Sequence, residues 1–185
     1  MIKFENVTFA YGEKQILKDF SLEIKEGEHI CFFGESGKGK TTLLRLICGL
    51  EKPQAGEVAG IGKKRFSVVF QEDRLLKNLT VSENVALVGS RQKGDEALKK
   101  LGLKDYLNKK TSELSGGMRR GVAIARALCS DYDVLLLDEA FNGLDEDRIK
   151  DTAALILEEA KGKTVIMITH SLEHAKLLNA TVIHI

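Results

Sequence analysis

The sequence predicts an α/β protein: a mainly parallel sheet, an antiparallel β edge subdomain near the start, and a helical subdomain inserted in the core. Three observations carry this. From His29 onward, short apolar strands alternate with stretches of helical spacing. The first 24 residues hold two strand-like stretches joined by a tight turn. Between about residues 72 and 130 helical signals follow one another with almost no strand signal. With 185 residues, the chain is read as one domain, 1–185, around a single sizeable core.

Residues 2–9 and 16–24 read as strands around a Tyr11-Gly12 turn, with Phe20, Leu22 and Ile24 alternating as a half-buried strand requires. Residues 29–33 form a short apolar strand that runs straight into a glycine loop. Residues 41–48 have helical spacing that stops at Gly49. Pro53, the only proline, lies in a turn region over 51–56, and residues 66–70 are the next strand. Residues 81–88 and 96–101 read as helices, with polar linkers around Gly94 and Lys109-Lys110. A strong helix starts at Ser115 and runs to about Leu128. Residues 134–137 are continuously apolar, as in a strand covered on both faces. A helix over 147–160, a strand over 164–168, a helix over 172–178 and a strand over 181–185 complete the pattern.

Lys plus Arg numbers 28 and Asp plus Glu 27, and no polybasic block stands out, so no nucleic-acid partner is expected. No apolar stretch approaches the ~20 residues that span a bilayer, and the start lacks the apolar region of a signal peptide. The expected location is the cytoplasm; work at a membrane would need another chain as anchor. Cys31, Cys48 and Cys129 sit in apolar contexts, fit no zinc template and read as buried, reduced thiols.

Gly34-Glu35-Ser36-Gly37-Lys38-Gly39-Lys40-Thr41 fits G-x-x-x-x-G-K-[ST] between a predicted strand and a predicted helix, the context that motif requires. The motif predicts the loop of a P-loop NTPase core. Its glycines let backbone amides point inward at phosphate oxygens, and the helix start adds its positive dipole end. Lys40 supplies a charge for the β- and γ-phosphates of ATP, and the Thr41 hydroxyl can ligate Mg²⁺. The candidate phosphate-binding set is therefore Gly34, Glu35, Ser36, Gly37, Lys38, Gly39, Lys40, Thr41 and Thr42.

Asp138 and Glu139 end the apolar 134–137 strand, at the edge of a parallel sheet where ligands bind. Asp138 is placed to hold Mg²⁺, and Glu139 could take a proton from an attacking water. Leu114-Ser115-Gly116-Gly117-Met118 precedes the long helix. Ser115 is a natural N-cap, and Gly116 and Gly117 bare the amides of the first turn, making a second anion site.

With these motifs in this order, essentially the whole chain resembles the ATPase subunits of ATP-binding-cassette (ABC) proteins, whose Leu-Ser-Gly-Gly-Gln signature ends here in Met118. The resemblance implies two subunits joined head to tail, each ATP held between the phosphate loop of one and the signature helix of the other. It also implies that Tyr11 stacks on adenine, that Gln71 senses Mg²⁺ and the attacking water, and that Leu144-Asp145 ends a loop crossing the dimer interface. His170 matches the switch histidine that contacts the γ-phosphate. The implied catalytic group is Glu139, His170, Gln71 and Lys40; the implied metal group is Thr41, Gln71 and Asp138. Tyr11, the 34–42 loop, Ser115, Gly116 and Gly117 bind nucleotide.

Four departures stand out. Ala140 replaces a common proline, and Asn142-Gly143 a small pair. Arg120-Gly121 replaces a common Gln-Arg, and Ser171 an aspartate after the histidine. None removes a phosphate-binding or water-activating group. Phe70-Gln71-Glu72-Asp73-Arg74-Leu75-Leu76 and the Met-ending signature look like importer subunits for nitrate, sulfonates and taurine. That branch implies an integral membrane permease, a second ATPase subunit and, indirectly, a solute-binding protein as partners, at the inner face of the cell membrane. Two rival readings remain. One is a non-transport ATPase of the same family. The other is a zinc metallopeptidase, since His170, Glu173 and His174 match H-x-x-E-H and residues four apart on a helix can share a metal.

Overall fold

The computed structural model describes residues 1–35 and 37–185; Ser36, part of the predicted phosphate loop, lies outside them. Among the described residues the chain forms eight strands and six α-helices. They run β1 (Ile2–Tyr11), β2 (Lys14–Ile24), β3 (His29–Phe33), α1 (Lys40–Ile47), β4 (Ala55–Ala59), β5 (Phe66–Val69), α2 (Val81–Ala86) and α3 (Arg91–Lys100). There follow α4 (Gly116–Cys129), β6 (Val134–Asp138), α5 (Glu146–Glu159), β7 (Thr164–Thr169), α6 (Leu172–Leu177) and β8 (Thr181–His184). Short 3₁₀ turns lie at Lys104–Tyr106 and Thr111–Glu113.

Five strands form a parallel sheet in the order β5-β6-β7-β3-β8, and three form an antiparallel sheet in the order β2-β1-β4. Every residue of β6 and β7 is buried. Strand periodicity splits these residues between two cores. Val134, Leu136, Ile166 and Ile168 face one side, where they meet Leu43, Leu46 and Ile47 of α1 and Ile2, Phe4, Val7 and Phe9 of β1. Leu135, Leu137, Val165 and Met167 face the other, where they meet Val122, Ile124 and Leu128 of α4 and Leu155 and Ile156 of α5. The continuous apolar reading of 134–137 thus has its physical cause: both faces of the strand are covered.

In β1 the buried set changes parity, from Ile2 and Phe4 to Val7 and Phe9. The pairing with β2 shifts register between Phe4 and Val7, where Asn6 has φ 48°. A bulge of this kind lets the strand keep its apolar side on the core despite a broken alternation.

Two elements differ from the sequence reading. β4 lies inside and beyond the predicted turn region over 51–56. Its run Ala-Gly-Glu-Val-Ala buries only Val58 and carries no alternation, so its strand character comes from pairing with β1. α3 begins at Arg91, and Gly94 stands in its first turn rather than in a linker. A Cβ at Gly94 would lie 2.4 Å from Val85 Cγ1, so glycine is what lets α3 close on α2. Cys31 and Cys129 are buried and Cys48 is half-buried; burial pushes all three thiols up to about 11. No helix among the described residues is long and apolar enough to cross a membrane.

Between β5 and β6 the ordering device is Asn84, which is fully buried in α2. Its Oδ1 accepts from the Leu76 amide at 2.8 Å, and its Nδ2 donates to the carbonyls of Leu76 and Thr80 at 3.0 Å. Asn84→Ala is expected to cost about 2–3 kcal/mol, the scale of buried backbone groups left unpaired, read as a lower urea midpoint at unchanged slope.

Candidate nucleotide site

Parallel pairing brings the carboxyl ends of β5, β6, β7 and β3 side by side. The register sets Phe33 opposite Thr169 and Asp138 opposite Ile168. The residue groups that follow these strands, Gln71, Asp138-Glu139, His170 and the glycine loop, therefore meet at one edge of the sheet. A cavity of about 430 Å³ collects them: Tyr11, Gly37, Gly39, Lys40, Thr41, Thr42, Gln71, Asp138, Glu139 and His170 all line it. A larger groove of about 760 Å³ adjoins it, sharing Thr41, Gln71 and Asp138. The larger groove has no lysine or glycine loop in its wall, whereas the smaller one has both, the lining that phosphate chemistry requires.

The loop is set by its glycines. Gly39 has φ 95°, and a Cβ there would lie 2.5 Å from Ile16 Cγ2. Gly39→Ala is therefore expected to lower the melting temperature and to lose ATP binding, since left-handed backbone alone costs a side chain about 1–2 kcal/mol. Thermal melts and nucleotide titration read the two effects. The α1 helix begins at Lys40, with Gly39 as its N-cap. The Lys40 side chain is buried and curls back, its Nζ donating to the Gly34 and Glu35 carbonyls at 2.7 Å each. Glu35 and Lys38 are exposed.

Thr41 Oγ1 donates to Asp138 Oδ2 at 3.5 Å. Asp138 is buried; desolvation first, then the Glu139 carboxylate, raise its carboxyl above the usual range, while Thr41 and Lys40 pull it back. Two hard oxygens facing each other, one on a carboxylate short of counter-charge, suit Mg²⁺, which takes oxygen ligands.

Glu139 leaves β6 with φ 49°, a left-handed conformation uncommon outside glycine, at the point where its carboxylate enters the cavity. His170 Nδ1 lies 3.1 Å from Glu139 Oε1, and Glu139 Oε2 is buried with no hydrogen-bond partner. Tyr11 is exposed at the rim, its ring edge-on to Phe9 at 4.9 Å.

Ser115, Gly116 and Gly117 are not in this cavity. Ser115 caps α4 as its sequence suggests, accepting from the Met118 amide at 3.3 Å, and is exposed. A Cβ at Gly117 would sit 3.0 Å from the Gly143 carbonyl oxygen, so the signature turn packs on the loop after β6. Asp145 is exposed and caps α5 through the Arg148 amide at 2.9 Å. Sequence reasoning did not single out Ile16 or Ile168, which line the phosphate cavity, nor Asn142 as a lining residue.

The zinc reading does not match this geometry. His170 precedes α6 instead of lying on it, so the two histidines do not share a helix face. His174 Nδ1 faces Thr169 Oγ1 at 3.2 Å, while His170 faces Glu139. Among the described residues no group of three His, Cys, Asp or Glu side chains is arranged to hold a metal.

A strand–glycine loop–helix cradle backed by strand-end carboxylates on a parallel sheet defines a nucleotide-binding P-loop ATPase. The ABC transporter family profile matches residues 17–142. The taurine import ATP-binding protein TauB of Jannaschia sp. (strain CCS1) is 41% identical over 191 residues, covering 93% of this chain and 70% of the relative. The glutamate/aspartate import ATP-binding protein GltL of Escherichia coli (strain K12) is 35% identical over 200 residues, covering 95% and 83%. The dimeric structure of MJ0796, a bacterial ABC transporter cassette, superposes with a TM-score of 0.86 at 34% identity, covering all of this chain and 94% of that one. The same cassette has been solved dimeric in a post-hydrolysis state with ADP and Pi, at 33% identity. The chain belongs to the ABC transporter family, as an ATP-binding and ATP-hydrolysing cassette.

Proposed function

We propose that this cassette powers import of a small solute through a separate membrane permease, working as a head-to-tail pair at the inner face of the membrane and receiving solute indirectly from a solute-binding protein. The relatives named above are import subunits, which supports the direction of transport. The observation that carries the ATPase reading is the single cavity shared by Tyr11, Lys40, Thr41, Gln71, Asp138, Glu139 and His170. Ser115 and Gly117 are not among its lining residues, so in this reading completion of the site falls to a partner copy. We further propose that 72–130 is the helical subdomain that meets the permease, with Gln71 at its root.

In this reading Lys40 leaves the Gly34 and Glu35 carbonyls for the β- and γ-phosphates, while Tyr11 covers the base. The loop amides from Gly37 to Thr42 and the α1 dipole hold the remaining phosphate charge. Thr41 and Asp138 would hold Mg²⁺, with Gln71 beside them. When bound, Mg²⁺ offsets the negative charge of the β,γ-phosphates. The Glu139 carboxylate, held through Oε1 by His170 Nδ1–H, is the group that would accept a proton from the attacking water. The same contact holds the His170 ring in the wall of the cavity beside Glu139. Catalysis here is mainly positioning and charge stabilisation.

Purification of the native complex tests the transport reading. An integral membrane permease should travel with the chain, and its solute should stimulate ATP turnover in reconstituted vesicles. A stable complex with soluble proteins alone would favour the non-transport reading instead.

A further inference from the structure

One departure from the family pattern, Arg120, occupies a built site. It lies in the second turn of α4 and is 7% exposed. Its Nη1 donates to the Phe70 carbonyl at 2.7 Å, and its Nη2 donates to the Gln71 carbonyl. Nη1 also lies 3.4 Å from Asp73 Oδ1, close enough for charge attraction but without hydrogen-bond geometry. Further along the helix, Arg126 donates to the carbonyls of Arg74 at 2.9 Å and Asp73 at 3.1 Å. Four carbonyls of the 70–74 segment are thus held by two guanidinium groups of one helix. The planar fork of Arg120 bridges two successive carbonyls, which a lysine ammonium cannot do in the same geometry.

Two functional stretches meet through this contact. Gln71 stands in the walls of both cavities. The N-cap of α4 is Ser115, five residues before Arg120. We propose that Arg120 is a positioning residue for Gln71. It fixes the backbone at Phe70 and Gln71 so that the glutamine side chain stays at the phosphate end of the cavity. The assignment rests on the ATPase reading and adds a residue to it.

The test is a double-mutant cycle on ATP turnover by the full chain, with a thermal melt of each variant. Arg120→Ala is expected to lower kcat about tenfold with KM for ATP changed less than about twofold. In a Gln71→Ala background the same change should lower kcat by less than about twofold, because its route to the reaction is already gone. Arg120→Lys, which keeps the charge without the fork, should recover only part of the loss. Wild-type kcat in Arg120→Ala, or losses that multiply in the double variant, would overturn the assignment. If Arg120→Ala does not fold, Arg120→Lys takes its place in the cycle, with the same criteria. Failure of the ATPase reading is separate: it would show as an absence of turnover in the wild-type chain itself.

Discussion

Lys40→Ala is expected to weaken ATP binding at least about a hundredfold, near 2.7 kcal/mol, while leaving the fold intact. The reasoning starts from burial. Lys40 is 7% exposed, and among the described residues its ammonium donates to two loop carbonyls and to no carboxylate. The ammonium feels the Asp138 carboxylate without a hydrogen bond to it, and a triphosphate would add direct charged partners in a setting where water competes poorly. Alanine removes the charge and relinquishes two hydrogen bonds to carbonyls that can turn to solvent, so the cost should fall on binding. Calorimetric titration with ATP and a thermal melt separate the two. A melt lowered by more than about 10 °C would instead mark Lys40 as part of the fold.

Glu139→Gln should have the larger effect on turnover: a fall of at least about a hundredfold with ATP affinity retained, and accumulation of a nucleotide-locked dimer. The amide keeps the shape of the side chain and can still meet His170, but it cannot take a proton from water. The left-handed backbone at Glu139 and the unpartnered Oε2 both point to a carboxylate held for chemistry. Single-turnover hydrolysis by rapid quench, set beside ATP binding, measures the split. Unchanged hydrolysis would remove Glu139 from the role of base.

Much of the architecture could be read directly because local signals and tertiary context agree. The β3 strand, the glycine loop and α1 follow in the order the motif demands, and the wholly apolar 134–137 run became a strand buried on both faces. The misreadings fall where long-range contacts decide. β4 has no pattern of its own and exists because β1 lies beside it. Gly94 looks like a linker from its neighbours alone; only the approach of Val85 explains it. In the candidate site the phosphate loop and the strand-end carboxylates announce their chemistry by residue type and spacing. The roles proposed for Tyr11, Gln71 and His170 rest on a family resemblance, because an isolated tyrosine, glutamine or histidine carries no local signature. Arg120 could be noticed as a departure but not interpreted: its acceptors lie 50 and 49 residues earlier in the chain.

The central claim is that the loop of one copy and the Ser115 end of another enclose the same nucleotide. Its most direct measurement is ATP retained after gel filtration in a Glu139→Gln background. Chains additionally carrying Lys40→Ala, or additionally carrying Ser115→Arg, should each retain none when alone. Mixed, they should retain about one ATP per two chains, since only the mixed pair contains one undamaged loop facing one undamaged signature end, and such closure slows release. If the mixture retains no more than its separate components, the shared site does not exist.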